Sequence, residues 1–228
     1  MLLRLLCVSF LLATFAARAA AASPAEFSAA EQALFVADHL GKLRPPATLQ
    51  YRFERSGSLE PGFDDSVAVV LKAQPNGKCC AAATEFLSGP RRLALPEIEL
   101  AQGNPAILYF LEHDIREMQR LTKGKSNYFR KRIRIAVAES ATITELSLPW
   151  RGASVKARQI TIAPYLDDPL RARFEQLATK RYVFTLSDAV PGGVLSIRTQ
   201  VDGAGGATAQ PLLAEEMSLA QSTAARRP

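Results

Sequence analysis

Histidine is almost missing from this chain of 228 residues: His39 and His113 are the only two. Chemistry that gathers imidazoles around a metal, or sets one between a nucleophile and a carboxylate, therefore has little to draw on. Neither H-E-x-x-H nor G-x-S-x-G occurs. Glu112, His113, Asp114 and Glu117 crowd together, but on a helix His113 and Glu117 share a face while Glu112 and Asp114 point elsewhere. The group reads as a solvated surface. The acidic pairs Asp64-Asp65 and Asp167-Asp168 fall at turns, and the second is better explained by helix capping than by acid–base work. The expectation is a chain with no catalytic residue, no metal and no cofactor, hence a binding protein and not an enzyme.

Cysteine is equally scarce. Cys7 lies in an N-terminal leader, and the remaining pair, Cys79-Cys80, is adjacent in sequence. No C-x-x-C spacing exists, and two thiols are too few for a soft-metal site. Three states stay open for the pair: unpaired thiols, an intermolecular bridge, or a strained bridge between neighbours. No function is assigned to it. Long apolar runs are confined to the first 22 residues, where Arg4, the uncharged stretch Leu5 to Ala17 and a tract of small residues ahead of Ser23-Pro24 have the pattern of a cleaved export signal. The apolar stretch, about 13 residues, is shorter than the roughly 20 that span a bilayer. Residues 1–22 are read as a signal peptide and the remainder as a soluble, exported chain.

Charge of one sign is not in large excess either. The formal net charge is +6, and loss of Arg4 and Arg18 with the signal brings it to +4, which is no nucleic-acid signature. An anionic partner of an exported chain is instead a lipid head group, lipopolysaccharide or another polypeptide.

What is present is mostly strand pattern. A capping box, Ser28 with Glu31, opens an amphipathic helix predicted over Phe27 to Leu43, with Phe27, Leu34, Phe35, Leu40 and Leu43 on its apolar side. The period then changes to two: Leu49, Tyr51 and Phe53 alternate with Gln50, Arg52 and Glu54, and Ser66 to Lys72 follows as the second arm of a hairpin. Lys78 to Leu87 and Arg91 to Leu95 are further strand candidates. Asn104 caps a long helix with Pro105 at its first position and Gly124 at its end; Leu108, Leu111, Ile115, Met118 and Leu121 form its stripe. Beyond it, Phe129, Lys131, Ile133, Ile135 and Val137 alternate with Arg130, Arg132 and Arg134, predicting a strand with an arginine ridge. Strands are expected at Ala141 to Leu148, Ser154 to Ile162, Arg181 to Ser187 and Val194 to Val201, with a short helix at Asp168 to Thr179. From Gly203 the chain is mainly Ala, Gly, Gln and Ser and reads as a disordered tail, 203–228, behind a single domain spanning 23–202.

The element order predicts a mainly β (α+β) fold: a curled antiparallel sheet or half-barrel of about eight to nine strands around one long helix, with an N-terminal helix. Signal peptide, leading helix, long antiparallel meander and inserted helix together resemble the LolA/LolB lipoprotein-localisation superfamily. That resemblance implies a periplasmic carrier of acyl chains or lipoproteins; the lipobox cysteine of LolB-type members is absent.

Two candidate sites follow. The curled sheet has an apolar interior, represented by Tyr51, Phe53, Val69, Ile133 and Ile135, that makes either a ligand cavity or a filled core. The ridge of Arg130, Arg132 and Arg134 makes an anion platform or a charged edge that keeps other chains from pairing. The functional expectation is a periplasmic binding or carrier protein for an apolar or lipid-like ligand or an envelope component, with peripheral membrane contact and no nucleic acid. The alternative is an interaction protein with a plugged barrel and no pocket.

Overall fold

A computed structural model describes residues 27–74, 80–205 and 210–223. The predicted signal peptide lies outside them. Among the described residues, eight strands form one antiparallel sheet, curled and unclosed: β1 (Ala47–Ser56), β2 (Phe63–Lys72), β3 (Ala81–Phe86), β4 (Thr142–Trp150), β5 (Ala153–Ile162), β6 (Arg181–Leu186), β7 (Val194–Val201) and β8 (Leu213–Ser222). Their spatial order is β3-β2-β1-β8-β7-β6-β5-β4. The last strand thus sits in the middle and joins two meanders, one before the helices and one after.

Register follows from the period-two pattern. Tyr51 faces Val67 on one side and Leu219 on the other, and Phe53 pairs with Met217, so one face of the sheet is continuously apolar. Leu49, Tyr51, Phe53, Val67, Val69 and Leu71 are fully buried there. The concave face is filled by α2 (Pro105–Thr122), which packs across β2, β3 and β7. Asn104 caps it as expected, its Oδ1 accepting from the Ala106 N–H at 3.0 Å. Lys123 takes the left-handed conformation at its end (φ 60°), and Gly124 follows because a Cβ there would meet the Phe129 ring at 2.5 Å. Phe110, His113, Asp114 and Met118 face inward, so the buried side of α2 is wider than the predicted stripe and includes a carboxylate. Leu108, the first residue of that stripe, is half exposed.

Several expectations are corrected. Residues 126–139 are not a strand but a helix, α3 (Ser126–Glu139), packed against β5. Its buried residues Phe129, Ile133, Ala136 and Val137 recur at helical spacing, and Arg and Lys are good helix formers. Successive side chains turn by about 100° on a helix, so Arg130, Arg132 and Arg134 cannot form a line. Arg91 to Leu95 supplies a 3₁₀ turn (Gly89–Arg91) and an isolated bridge from Leu93 to Phe86, not a strand. The helix expected at Asp168 is two 3₁₀ turns, Arg171–Arg173 and Glu175–Thr179. The leading helix is shorter than predicted: α1 (Ala29–Glu31) passes into a π-helical turn, Gln32–Val36, and the chain leaves helix at Ala37. Its capping box is present, with Ser28 Oγ accepting from Glu31 N–H and the Glu31 carboxylate from Ser28 N–H.

The expected disordered tail contains β8, whose residues Leu213, Glu215, Met217 and Leu219 point into the core, so the β-rich unit does not end at 202. Residues 206–209 and 224–228 of that tail are outside the described set. Cys80 is fully buried and disulfide-bonded, which removes the unpaired-thiol reading; Cys79 lies outside the described residues.

Candidate functional site

The interior of the curled sheet is packed. Phe53 lies 6.2 Å from the Phe110 ring and 5.4 Å from the His113 ring, and Phe86 packs edge-on against it at 6.0 Å. The Tyr51 hydroxyl accepts a hydrogen bond from Asn104 Nδ2 at 2.7 Å. Tyr51, Phe53 and Val69 are therefore brought together as core beneath α2. Ile135 is half-buried on another side of α3, away from them.

Charged groups are part of this core. Lys180 and Asp114, both wholly buried, form an ion pair, and Tyr182 donates to the other Asp114 oxygen. Glu215 on β8 holds His113 at 3.2 Å and lies 3.7 Å from Arg55, which bridges to Glu117 at 2.9 Å. Burial alone would raise the Glu215 pKa. The hydrogen bond and charge of His113, with Lys180 and Arg55 behind them, overcome that and bring it to about 2.

The open apolar surface lies on the far side of α2. A cleft of about 780 Å³ runs between the N-terminal turn, the segment from Leu95 to Asn104, α2 and α3. Phe27, Phe35, Leu100 and Leu108 line it, and all four are large apolar side chains left exposed: Phe27 and Leu100 by 57%, Leu108 by 50%, Phe35 by 37%. Leu34, Leu111, Ile115 and Ile133 form its buried wall. Of the predicted interior residues, only Ile133 reaches this cleft. Its volume is in the range of small-molecule sites, and its lining is mainly apolar with a few charged groups, Glu31, Glu112, Arg130 and Arg134.

A knot of hydrogen bonds holds the cleft floor. His39 Nε2 donates to the Ala33 carbonyl at 2.9 Å, while its Nδ1 accepts from the Asn104 N–H at 3.1 Å. This fixes the neutral tautomer, and burial lowers the His39 pKa further against the opposing pull of the Ala33 carbonyl. Asn104 Nδ2 also donates to the Gly192 carbonyl at 2.7 Å. One histidine and one asparagine thus tie the N-terminal turn, the start of α2 and the β6–β7 connection together.

The three arginines have separate fates. Arg132 points away from the cleft to Asp168, at 2.6 Å. Arg130 donates to Asn127 Oδ1 at 2.6 Å and to Glu112 Oε2 at 2.8 Å, and Glu112 also takes Arg116, four residues on along α2, at 3.4 Å. Arg134 shares the cleft side of α3 with Arg130.

Sequence reasoning did not single out the cleft, because its apolar walls come from four separate segments. A second groove, between β4–β5 and the β6–β7 connection, mixes charged residues, Glu145, Lys156, Arg158 and Asp188, with apolar ones such as Leu146 and Val155. Among the described residues no group of three or more His, Cys, Asp or Glu side chains is placed to hold a metal, and no helix is long and apolar enough to cross a membrane.

No protein-family model matches the chain, and no curated protein does. Among solved structures, the chain is similar to the Mycobacterium tuberculosis lipoprotein LppX, with 8% identity over 76% of this chain and 84% of that one and a TM-score of 0.32. It is also similar to a LolA superfamily protein from Nitrosomonas europaea, with 10% identity over 87% and 94% of the two chains and a TM-score of 0.23.

Proposed function

We propose that this chain is an exported, non-enzymatic binding or carrier protein that takes an apolar, lipid-like ligand in the cleft between α2, α3 and the N-terminal turn. The observation that carries this reading is the gathering of Phe27, Phe35, Leu100 and Leu108, all exposed, around one concave surface. Contiguous exposed apolar surface is costly to a soluble protein unless something covers it. Each ligand methylene buried there contributes about 0.8 kcal/mol, so about ten would supply roughly 8 kcal/mol before association costs. Association costs of at least about 4 kcal/mol come off that sum, so a chain of this length binds more weakly than the micromolar affinity that 8 kcal/mol alone would give.

Displacement of the neutral dye Nile red by dodecanol tests the reading. The wild type should take up the dye and release it to dodecanol. Leu108→Glu should weaken both by at least about tenfold, by placing a charge on the apolar wall, while leaving the fold intact because the position is half exposed. Failure of the wild type to bind either compound, or equal binding by Leu108→Glu, overturns the cleft as a site. In that event the alternative, an interaction protein with a plugged interior, gains the support of the packed core under α2. Export is tested separately, by the N-terminus of protein recovered from the cell envelope, expected within Ala20 to Ser23.

A further inference from the structure

The rim of the cleft carries charges that are used unequally. Arg130 and Arg134 lie four residues, about one helical turn, apart on α3. Arg130 is committed to Asn127 and Glu112. Glu112 is shared between Arg130 and Arg116, so it brings no free negative charge to the cleft. Glu31, the other carboxylate of the lining, accepts the Ser28 N–H at 2.9 Å and closes the capping box. Arg134 remains: it is exposed, lines the cleft, and makes no hydrogen bond or ion pair with any other described residue.

Resting on the cleft reading above, we propose that the ligand is an anionic amphiphile whose carboxylate or phosphate head is seated on Arg134 and whose apolar chain lies along Leu108, Leu111 and Ile133. The chemistry is complementary at both ends. A guanidinium offers parallel N–H donors that match the paired oxygens of either head group, and one that has no internal carboxylate gives up no ion pair when it turns to a ligand. A neutral apolar ligand would bury the same wall but leave this cation unused at the mouth. The rim is open to solvent, so the head-group contribution is modest and screened by salt over about 8 Å at physiological ionic strength.

The test compares lauric acid, dodecyl phosphate and dodecanol as displacers of Nile red, below their aggregation concentrations, on the wild type, Arg134→Gln, Arg134→Lys and the remote control Arg151→Gln. The wild type should prefer an anion over dodecanol by about three- to tenfold at low salt, the scale of a single exposed, charge-assisted contact. Arg134→Gln should erase that preference without altering dodecanol binding, Arg134→Lys should restore part of it, and Arg151→Gln should behave as wild type. A preference for only one of the two anions also supports the proposal and names the head group. Equal binding of all three compounds by the wild type, or an anion preference that survives in Arg134→Gln, overturns it while leaving the cleft as the binding site. Failure of all three compounds to displace the dye from the wild type overturns the cleft itself.

Discussion

Removing the carboxylate of Asp114 should be among the most damaging single changes to this fold, and adding a second change should repair it. Asp114 and Lys180 are both wholly buried, one midway along α2 and the other at the entry to β6, and they are each other's counter-charge. Asp114→Ala leaves an ammonium in the core without its partner, at a loss of about 3–5 kcal/mol. Total stability of a domain is only about 5–15 kcal/mol, so this is a large share. With a urea m-value of about 2–3 kcal/mol/M, the unfolding midpoint should fall by roughly 1–2.5 M. The double variant Asp114→Leu with Lys180→Met replaces the pair with apolar groups of similar reach. It should recover at least about half of that loss, because a buried ion pair contributes little net stability once its desolvation is counted, the remainder being the charge that Lys180 also lends to Glu215. Tyr182 keeps a partner throughout in the Tyr165 hydroxyl, 3.1 Å away. Urea titration followed by circular dichroism reads all three proteins, and Asp114→Asn, which keeps an acceptor for Tyr182, serves if the alanine variant does not fold. A loss below about 1 kcal/mol for Asp114→Ala would refute the argument, as would a double variant no more stable than the single.

The buried groups also set the pH response. Because burial lowers the His39 pKa below its ordinary 6.5, the unfolded chain takes up the proton first, so this contribution is present above pH 6.5 and declines as pH falls below it. The urea midpoint should therefore drop between pH 7.5 and 5.5 by more in the wild type than in His39→Gln; equal drops would remove His39 from the account. For Glu215 the sign is also that of a depressed group: stability is full above its ordinary 4.5 and is lost as pH falls toward about 2. Acid titration monitored by circular dichroism should show a transition in that window that flattens in Glu215→Gln, and an unchanged profile would contradict the assignment. Truncation before Gly203 should abolish the fold, because it withdraws β8 from between β1 and β7 and exposes two strand edges at the centre of the sheet; a soluble truncated chain with native circular dichroism would refute this.

The fold was legible wherever one periodicity had no rival. Leu49, Tyr51 and Phe53 could only be one face of a strand, and Asn104-Pro105 ahead of an i, i+3, i+4 stripe could only open a helix. The half-barrel with a helix in its mouth follows from those two signals. At α3 both periods fit: Phe129, Ile133 and Val137 are four apart, which satisfies a helix and, being an even spacing, a strand as well. Half-buried Ile135 and exposed Lys131 show which period the chain obeys. With that choice the arginine ridge dissolved into one core-side bridge, one rim pair and one cation with no ion pair among the described residues. At β8 the error came from composition: the segment is poor in large apolar groups, and its alternation is broken by a glutamate at a core position. Glu215 is tolerated there only because His113, Lys180 and Arg55 surround it, and those residues lie far from it in sequence.

The same long-range dependence hid the cleft. Leu108 belongs to the predicted stripe of α2, and a stripe read in isolation is assumed to be covered by the sheet. The sheet instead takes the neighbouring side of the helix, where Phe110, Asp114 and Met118 lie, and leaves Leu108 to the far side. An apolar arc wider than the roughly 100° stripe that faces a core was already present on α2, since Ile107, Leu108, Phe110, Leu111, Ile115 and Met118 span about 160° of its circumference at about 100° per residue. Such an excess is a sequence signal that the helix serves two surfaces. Here one is the core and the other is the wall of the cleft.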